Sequence, residues 1–115
     1  MIQPNELRIG NFIKLKSSDV KAEVIGIYQR AEKNKTWRLE TKEHGLNSIE
    51  DFEPILLTDE IFGRCRYNTT IEVVKSYNNK YDISFNNRIV ATVLYLHQFQ
   101  NIIFALKNEE LKYKK

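Results

Sequence analysis

Two asparagine pairs, Asn78-Asn79 and Asn86-Asn87, constrain the fold of this chain more than any other feature of its sequence. Each pair interrupts a stretch rich in β-branched and aromatic residues, which are the types enriched in strands. Because asparagine tolerates positive φ better than most residues, both pairs suit tight hairpin turns. The pattern therefore predicts a three-stranded antiparallel meander with strands at 67–77, 81–85 and 88–94.

A helix is predicted directly after the meander. From Tyr95 to Leu106 the apolar residues recur at helical spacing, and Phe99, Ile103 and Leu106 are expected to face inward. We expect this helix to pack on the meander. The charged stretch at 109–115 is expected to form a frayed tail.

The N-terminal half predicts a small curled β-sheet of the SH3-like barrel type. Extended segments at 12–16, 21–29, 36–41 and 48–57 are joined by short turns, and 31–35 is typical of a charged hairpin loop. The second of these segments alternates cleanly. Alternation places four of its residues on one face, namely Ala22, Val24, Gly26 and Tyr28.

A short helix is predicted to connect the two halves of the chain. Thr58 is a favoured N-cap residue, and the acidic Asp59 and Glu60 follow in the first turn, where the helix macrodipole favours acids. The predicted fold class is therefore α+β. We expect a small β-barrel-like lobe at 1–57, with the helix, meander and C-terminal helix at 58–115 completing one compact unit.

The composition is that of a folded globular protein, since 42% of the residues are hydrophobic and 29% are charged. The net charge of +3 is well short of that of a dedicated nucleic-acid binder. The charge is unevenly distributed. Residues 1–46 hold nine basic and six acidic residues, 47–62 hold five acidic and no basic, and 63–115 hold nine basic and four acidic.

Cysteine usage and hydropathy indicate the compartment. The single cysteine, Cys65, excludes an intramolecular disulfide and fits a reducing environment. No apolar signal segment opens the chain, and no run approaches the roughly 18 apolar residues of a membrane span. We therefore expect a cytoplasmic protein without a membrane partner.

The sequence predicts no catalytic, metal or cofactor site. His44 and His97 are isolated, and no CxxC, HExxH or glycine-rich phosphate loop occurs, so we expect structural roles for both histidines. Cys65 lies between Arg64 and Arg66, whose charges could lower its thiol pKa. We nevertheless expect Cys65 to be a small buried apolar group, and a reactive thiol, the one hint of catalysis, is the alternative interpretation.

Acidic residues in the middle of the chain are candidates for partner contact. They could form a surface that mimics phosphate or meets a basic groove, whereas the simpler interpretation is a solvated loop and a helix cap. The candidates are Glu50, Asp51, Glu53, Asp59 and Glu60.

Basic and aromatic residues in the N-terminal half are candidates for nucleic-acid contact, because such a mixture suits phosphates and bases. Interleaved glutamates dilute this charge, so a mixed solvated surface is the alternative. The candidates are Tyr28, Arg30, Lys33, Lys35, Trp37 and Arg38.

Three stretches resemble a known family. The chain carries NELRIGN at 5–11, EPILLTDE at 53–60, and LHQFQNIIFAL at 96–106, the last followed by Glu109-Glu110-Leu111. These stretches resemble the pattern NELRIGN, PIPLTEE and VHQLQNLYFALTGEEL of small uncharacterised proteins from Bacteroidota genomes, phages and prophages. The chain departs from that pattern at Phe99 and at Lys107-Asn108. The resemblance implies an origin on mobile elements and transfers no catalytic residue.

Three functions remain open at this point. The first is a phage or mobile-element accessory protein that acts by binding a host protein or ribonucleoprotein, as an anti-CRISPR-type inhibitor of a defence system does. The second is a nucleic-acid-binding accessory protein that uses the basic N-terminal lobe. The third is an enzyme with a cryptic site at Cys65. The partner and the oligomeric state stay open.

Overall fold

The computed structural model describes residues 2–29, 36–68 and 70–114. The chain divides into two compact units, Met1–Ile55 and Leu56–Lys115, whereas the boundary expected from the sequence lies after Leu57. Antiparallel strands dominate the described residues, and two α-helices lie in the second unit. The predicted α+β class is therefore confirmed.

The N-terminal unit is built on one antiparallel sheet. Its strands are Phe12–Leu15 (β1), Lys21–Gln29 (β2), Trp37–Thr41 (β3), Gly45–Ser48 (β4) and Phe52–Glu53 (β5). The strand order is β4-β3-β2-β1-β5, so β1 pairs with both β2 and β5. No pairing between β4 and β5 closes the sheet within the described residues, which therefore form an open sheet and not a closed barrel.

The segment predicted as one extended stretch at 48–57 is interrupted by a 3-10 turn at Ile49–Asp51. The Ser48 side chain accepts a hydrogen bond from the Glu50 N–H (3.4 Å) and caps this turn, after which the chain resumes as β5. The sequence carries the signal for the turn, because a serine followed by acidic residues favours a cap over a strand.

A β-bulge in β2 interrupts the alternation of inward and outward residues that the sequence predicts. The register slips between Val24 and Gly26, so that two residues of β2 oppose one of β3 there. After the slip Ile27 lies opposite Leu39, whose side chain is in the core. Tyr28 therefore projects from the opposite, outer face, and the prediction that it shares a face with Val24 is wrong.

The core of the N-terminal unit lies beneath the inner face of its sheet. The half-buried Leu15, Ile27 and Trp37 pack against a cluster of seven buried residues. This cluster contains Ile2, Leu7, Ile13, Val24, Leu39, Ile49 and Phe52.

The C-terminal unit contains two sheets and both helices. The helices are Asp59–Gly63 (α1) and Leu96–Lys107 (α2), and the strands are Cys65–Arg66 (β6), Ile71–Lys75 (β7), Tyr81–Phe85 (β8), Arg88–Val93 (β9) and Lys112–Tyr113 (β10). The antiparallel meander β7-β8-β9 confirms the three predicted strands, although β7 is shorter than the predicted 67–77. A 3-10 turn at Tyr77–Asn79 joins β7 to β8.

Both predicted helices are present with their expected signals. The Thr58 hydroxyl caps α1 by accepting a hydrogen bond from the Ile61 N–H (3.2 Å). At the start of α2 the Gln98 side chain accepts from the Tyr95 N–H (3.1 Å), and it also accepts from the Leu94 N–H (2.9 Å). These contacts satisfy backbone donors that the helix itself leaves free.

The inward face of α2 is largely as predicted. Phe99 and Ile103 are buried, whereas Leu106 is half-buried near the helix end. Rings of Phe62 and Tyr67 pack on Phe99, with centroids 4.9 and 5.2 Å away. Aromatic packing therefore anchors α2 within the C-terminal unit.

The segment after α2 is ordered as far as residue 114, which contradicts the predicted frayed tail. Leu111 is only 4% exposed, and Tyr113 pairs with Cys65 as β10 adds to β6. The Lys114 N–H then donates to the Arg64 carbonyl oxygen (2.8 Å). One buried leucine and a short strand pairing hold a segment whose charge alone suggests disorder.

Substitution of Asn87 tests the β8–β9 hairpin. Asn86 and Asn87 have φ of 54° and 63°, as a two-residue type I′ turn requires. Asn87→Val should lower the free energy of unfolding by about 1–2 kcal/mol, because a β-branched residue is strained at positive φ. Asn87→Gly, as the matched control in urea denaturation, should be at least as stable as wild type. Equal stability of the valine variant would refute the turn.

Truncation of Leu111 tests the order of the C-terminal segment. Leu111→Ala should lower the free energy of unfolding by about 2–5 kcal/mol, because it leaves a cavity where a buried leucine packs. The exposed Lys112 in the same segment provides the control, since Lys112→Ala should change the value by less than about 0.5 kcal/mol. If both variants unfold at the same urea concentration as wild type, the segment is frayed in solution.

Candidate binding surfaces

The five acidic candidates are divided between the two units. Glu50, Asp51 and Glu53 belong to the first unit, whereas Asp59 and Glu60 belong to the second. Asp51 lines a shallow cavity of about 320 Å³ together with Lys16. The proposed acidic contact surface stays a prediction.

Cations partly compensate three of these acids. Lys14 Nζ lies 3.1 Å from Glu53 Oε1. Arg64 Nη2 lies 3.3 Å from Glu60 Oε1, one helical turn away. Lys75 Nζ lies 3.9 Å from Asp59 Oδ2. Exposed pairs of this kind add little stability, but they reduce the field that a basic partner would meet.

The basic and aromatic candidates are only partly brought together. Tyr28 and Arg38 are direct partners in the β2–β3 register and share the outer face of the sheet. Trp37 instead packs against the core of the N-terminal unit and is not part of that face. Three further candidates, and the predicted hairpin loop that contains the two lysines, lie outside the described residues: Arg30, Lys33 and Lys35.

Tyr28 lies along its own strand, above Gly26. A Cβ atom at Gly26 would stand only 2.7 Å from the Cε2 and hydroxyl oxygen of the Tyr28 ring, so the ring occupies the space that a side chain would fill. The Tyr28 hydroxyl donates to Glu40 Oε1 (3.0 Å) on β3, and this carboxylate raises the phenol pKa. The residue is nevertheless 51% exposed. A glycine two positions before an aromatic residue in a strand is the sequence signal for this arrangement.

The C-terminal unit contains a groove at the start of α1, which we call the α1 groove and which the sequence did not predict. Its volume is about 500 Å³. The polar lining consists of Thr58, Asp59, Lys75, Asn78, Asn79 and Tyr81. The apolar lining consists of Leu56, Leu57 and Leu94. These residues come from three separate parts of the chain, so no local pattern announces the groove.

Hydrogen bonding fixes the polar wall of the groove. The Tyr81 hydroxyl donates to Asp59 Oδ1 (2.9 Å), and Lys75 approaches the other carboxylate oxygen. Burial raises the pKa of Tyr81, and Asp59 raises it further through the hydrogen bond and its charge. Tyr81 therefore stays a proton donor at neutral pH.

The turn beside the groove displays an aromatic side chain. Tyr77 is 89% exposed and directly precedes Asn78 and Asn79, which line the groove. Backbone hydrogen bonds hold the turn, since the Ser76 N–H donates to the Lys80 carbonyl (2.7 Å) and the Lys80 N–H to the Tyr77 carbonyl (3.2 Å). On the groove lining itself, Leu56 is 55% exposed.

Cys65 is buried and poorly suited to nucleophilic chemistry. Its thiol donates to the Ile61 carbonyl oxygen (3.3 Å), and only 5% of the residue is exposed. Burial raises the thiol pKa from 9.0 to about 11, and the opposing charge of Arg66 does not compensate. The expected burial of Cys65 is therefore confirmed, and desolvation outweighs the attraction of the flanking arginines that the alternative requires.

Both histidines make contacts that fit a structural role. His97 is buried in the first turn of α2, where its ring stacks on that of Tyr95 at a centroid distance of 5.9 Å. In the turn before β4, the His44 N–H donates to Thr41 Oγ1 (3.1 Å) and the His44 carbonyl accepts from Asn47 (3.0 Å). Among the described residues, no group of three or more His, Cys, Asp or Glu side chains is placed to hold a metal ion.

Comparisons with known proteins do not indicate a function. No protein-family model, curated protein or solved structure matches this chain. No helix in the described part of the chain combines the length and the apolar character needed to cross a membrane. Two features therefore remain from which a function can be argued. One is the outer face of the N-terminal sheet at Tyr28 and Arg38, and the other is the α1 groove.

Alkylation tests the environment of Cys65. The rise in pKa from 9.0 to about 11 lowers the thiolate fraction near neutral pH about a hundredfold, and burial slows the reaction further. Native protein should therefore react with iodoacetamide at least about a hundredfold more slowly than urea-unfolded protein at the same pH. Mass spectrometry gives both rates. Similar rates in the two states would restore the reactive thiol as a hypothesis.

Proposed function

We propose that this chain is an accessory protein of a phage or other mobile element that acts by binding a host protein. A defence effector such as a CRISPR nuclease, alone or with its RNA, is the most specific form of this proposal. The resemblance to the phage-associated family supports the mobile-element origin. The α1 groove and Tyr77 support the binding role.

The observation that carries the proposal is the almost fully exposed Tyr77 beside the open α1 groove. An exposed tyrosine contributes little to the fold of the monomer, yet tyrosine is among the residues most enriched at the energetic centres of interfaces. Leu56 adds exposed apolar area on the groove itself. The hydrogen-bonded turn presents Tyr77 on an ordered backbone, so part of the ordering cost of binding is met in advance.

The lining of the groove indicates the chemistry of the partner. An apolar side chain of the partner would contact Leu56 and Leu94, while the Asp59 carboxylate and the Lys75 ammonium offer an acceptor and a donor. The Asp59 and Lys75 side chains are both largely exposed, so a partner can contact them without disrupting a buried hydrogen-bond network. A protein segment of mixed polarity fits this combination best.

The alternative of an enzyme acting through Cys65 loses support. Its raised pKa and burial oppose the formation of a nucleophilic thiolate. The free, buried cysteine agrees with the proposed action in the reducing cytoplasm.

We further propose that the N-terminal sheet belongs to the SH3-like type. A meander in which β1 pairs with both β2 and β5 has the connectivity that a small barrel requires, and the bulge in the long β2 supplies the bend that brings such strands round.

A comparison of variants tests the binding proposal. Immobilised wild-type protein should retain one host protein that a Leu56→Ser/Tyr77→Ala variant does not retain, because the variant removes the exposed anchors of the α1 groove. With that partner purified, calorimetry should show the dissociation constant rising about tenfold or more. Nuclease treatment of the lysate establishes whether RNA is required.

The control is Ile89→Ser, which removes an exposed apolar side chain from β9. This variant should retain the partner with unchanged affinity. A partner that binds wild type and the double variant equally well would exclude the α1 groove, and the absence of any host protein specific to wild type would refute the proposed function.

A further inference from the structure

We propose that the outer face of the β2–β3 hairpin is a binding site for single-stranded nucleic acid, with the Tyr28 ring as the platform on which a base stacks. This site lies in the N-terminal unit and is independent of the proposed function of the α1 groove. The proposal rests on the position of the ring, on the charge beside it and on the neighbours across the strands.

The position of the ring is suited to stacking. Because its hydroxyl end reaches back over Gly26, the side chain lies along the sheet instead of standing away from it. About half of the surface of Tyr28 remains open to solvent. An aromatic ring displayed on a β-sheet in this way is the usual means by which proteins bind unpaired bases without reading their sequence.

Two interactions hold the ring in place before any ligand arrives. Gly26 leaves the space that the ring occupies, and the Glu40 carboxylate accepts the hydrogen bond of the Tyr28 hydroxyl (3.0 Å). A fixed ring loses little side-chain freedom when a base stacks on it. The role of Glu40 here is to orient the platform.

A cation beside the platform is placed to contact a phosphate backbone. Arg38 is the direct partner of Tyr28 on β3 and shares its face. A cation next to a stacking surface is the combination that single-strand binding uses, and Arg38 supplies the cation here.

The neighbouring strand β4 adds two residues to this outer face. Ser48 on β4 lies opposite Arg38, and Leu46 lies opposite Glu40 and is exposed. At these positions the outer face thus carries one aromatic ring, one guanidinium, one carboxylate and one apolar side chain across three strands. This narrow strip suits a single strand lying across the sheet better than the wide contact that a protein partner needs.

Fluorescence anisotropy with labelled oligothymidine and oligouridine tests the site in low salt. Tyr28→Ala should weaken binding about fivefold to a hundredfold, because it removes the stacking surface. Tyr28→Phe keeps the ring and should stay within about twofold of wild type. Wild-type affinity should also fall steeply as salt is added.

Gly26→Ala provides a second variant that leaves Tyr28 unchanged. The new methyl group would displace the ring, so affinity should fall as in Tyr28→Ala. The thermal midpoint should stay close to that of wild type, because the displaced atoms belong to the end of an exposed side chain. Glu40→Gln retains an acceptor and removes a negative charge, and it should bind at least as tightly as wild type.

Tyr77→Ala in the other unit is the matched control and should leave oligonucleotide affinity unchanged, so that failure of this site is distinguishable from failure of the groove. Absence of wild-type binding to either oligonucleotide at low salt would overturn the proposal. Unchanged affinity in folded Tyr28→Ala or Gly26→Ala protein would also overturn it. If Tyr28→Ala instead abolishes capture of a host protein and leaves oligonucleotide affinity intact, the face is a protein contact.

Discussion

An extra residue in β2 decides which side chains of the N-terminal unit face the core and which face solvent. Val24 precedes the slip and belongs to the buried cluster. After the slip, Ile27 takes the inner side and Tyr28 the outer side. Strict alternation would reverse both assignments, placing the ring of Tyr28 toward the core and exposing Ile27. The core and the outer aromatic surface therefore depend on the same local irregularity.

The C-terminal unit depends on a short sequence at the start of α1. Thr58 caps the helix through the Ile61 N–H, and the next residue, Asp59, accepts the hydrogen bond of Tyr81 at the start of β8. The Thr58 cap starts the helix, and the hydrogen bond between Tyr81 and Asp59 ties the helix to the meander. These contacts also contribute to one wall of the α1 groove, so the contacts that organise the unit determine the shape of the proposed binding surface.

Local signals predicted the local parts of the fold. The Asn86-Asn87 hairpin, the Thr58 cap and the spacing that places Phe99 inward each involve residues close together in the chain. The bulge in β2 and the pairing of β10 with β6 depend on distant partners, and residue periodicity does not contain that information. The same limit applies to the sites. Tyr28 and Arg38 could be selected by residue type, but the α1 groove joins segments that only the fold brings together.

The two exposed tyrosines are held differently, and this difference bears on what each can bind. Tyr28 is fixed by its hydrogen bond to Glu40 and by the space above Gly26, so a weak ligand such as one stacked base loses little by binding it. Tyr77 is supported only through its backbone turn and is almost fully solvated. Ordering its side chain costs roughly 0.5–1.5 kcal/mol, which a partner must offset by enclosing the ring. Enclosure requires a surface with depth, and a protein surface beside the α1 groove supplies it, whereas a single base does not.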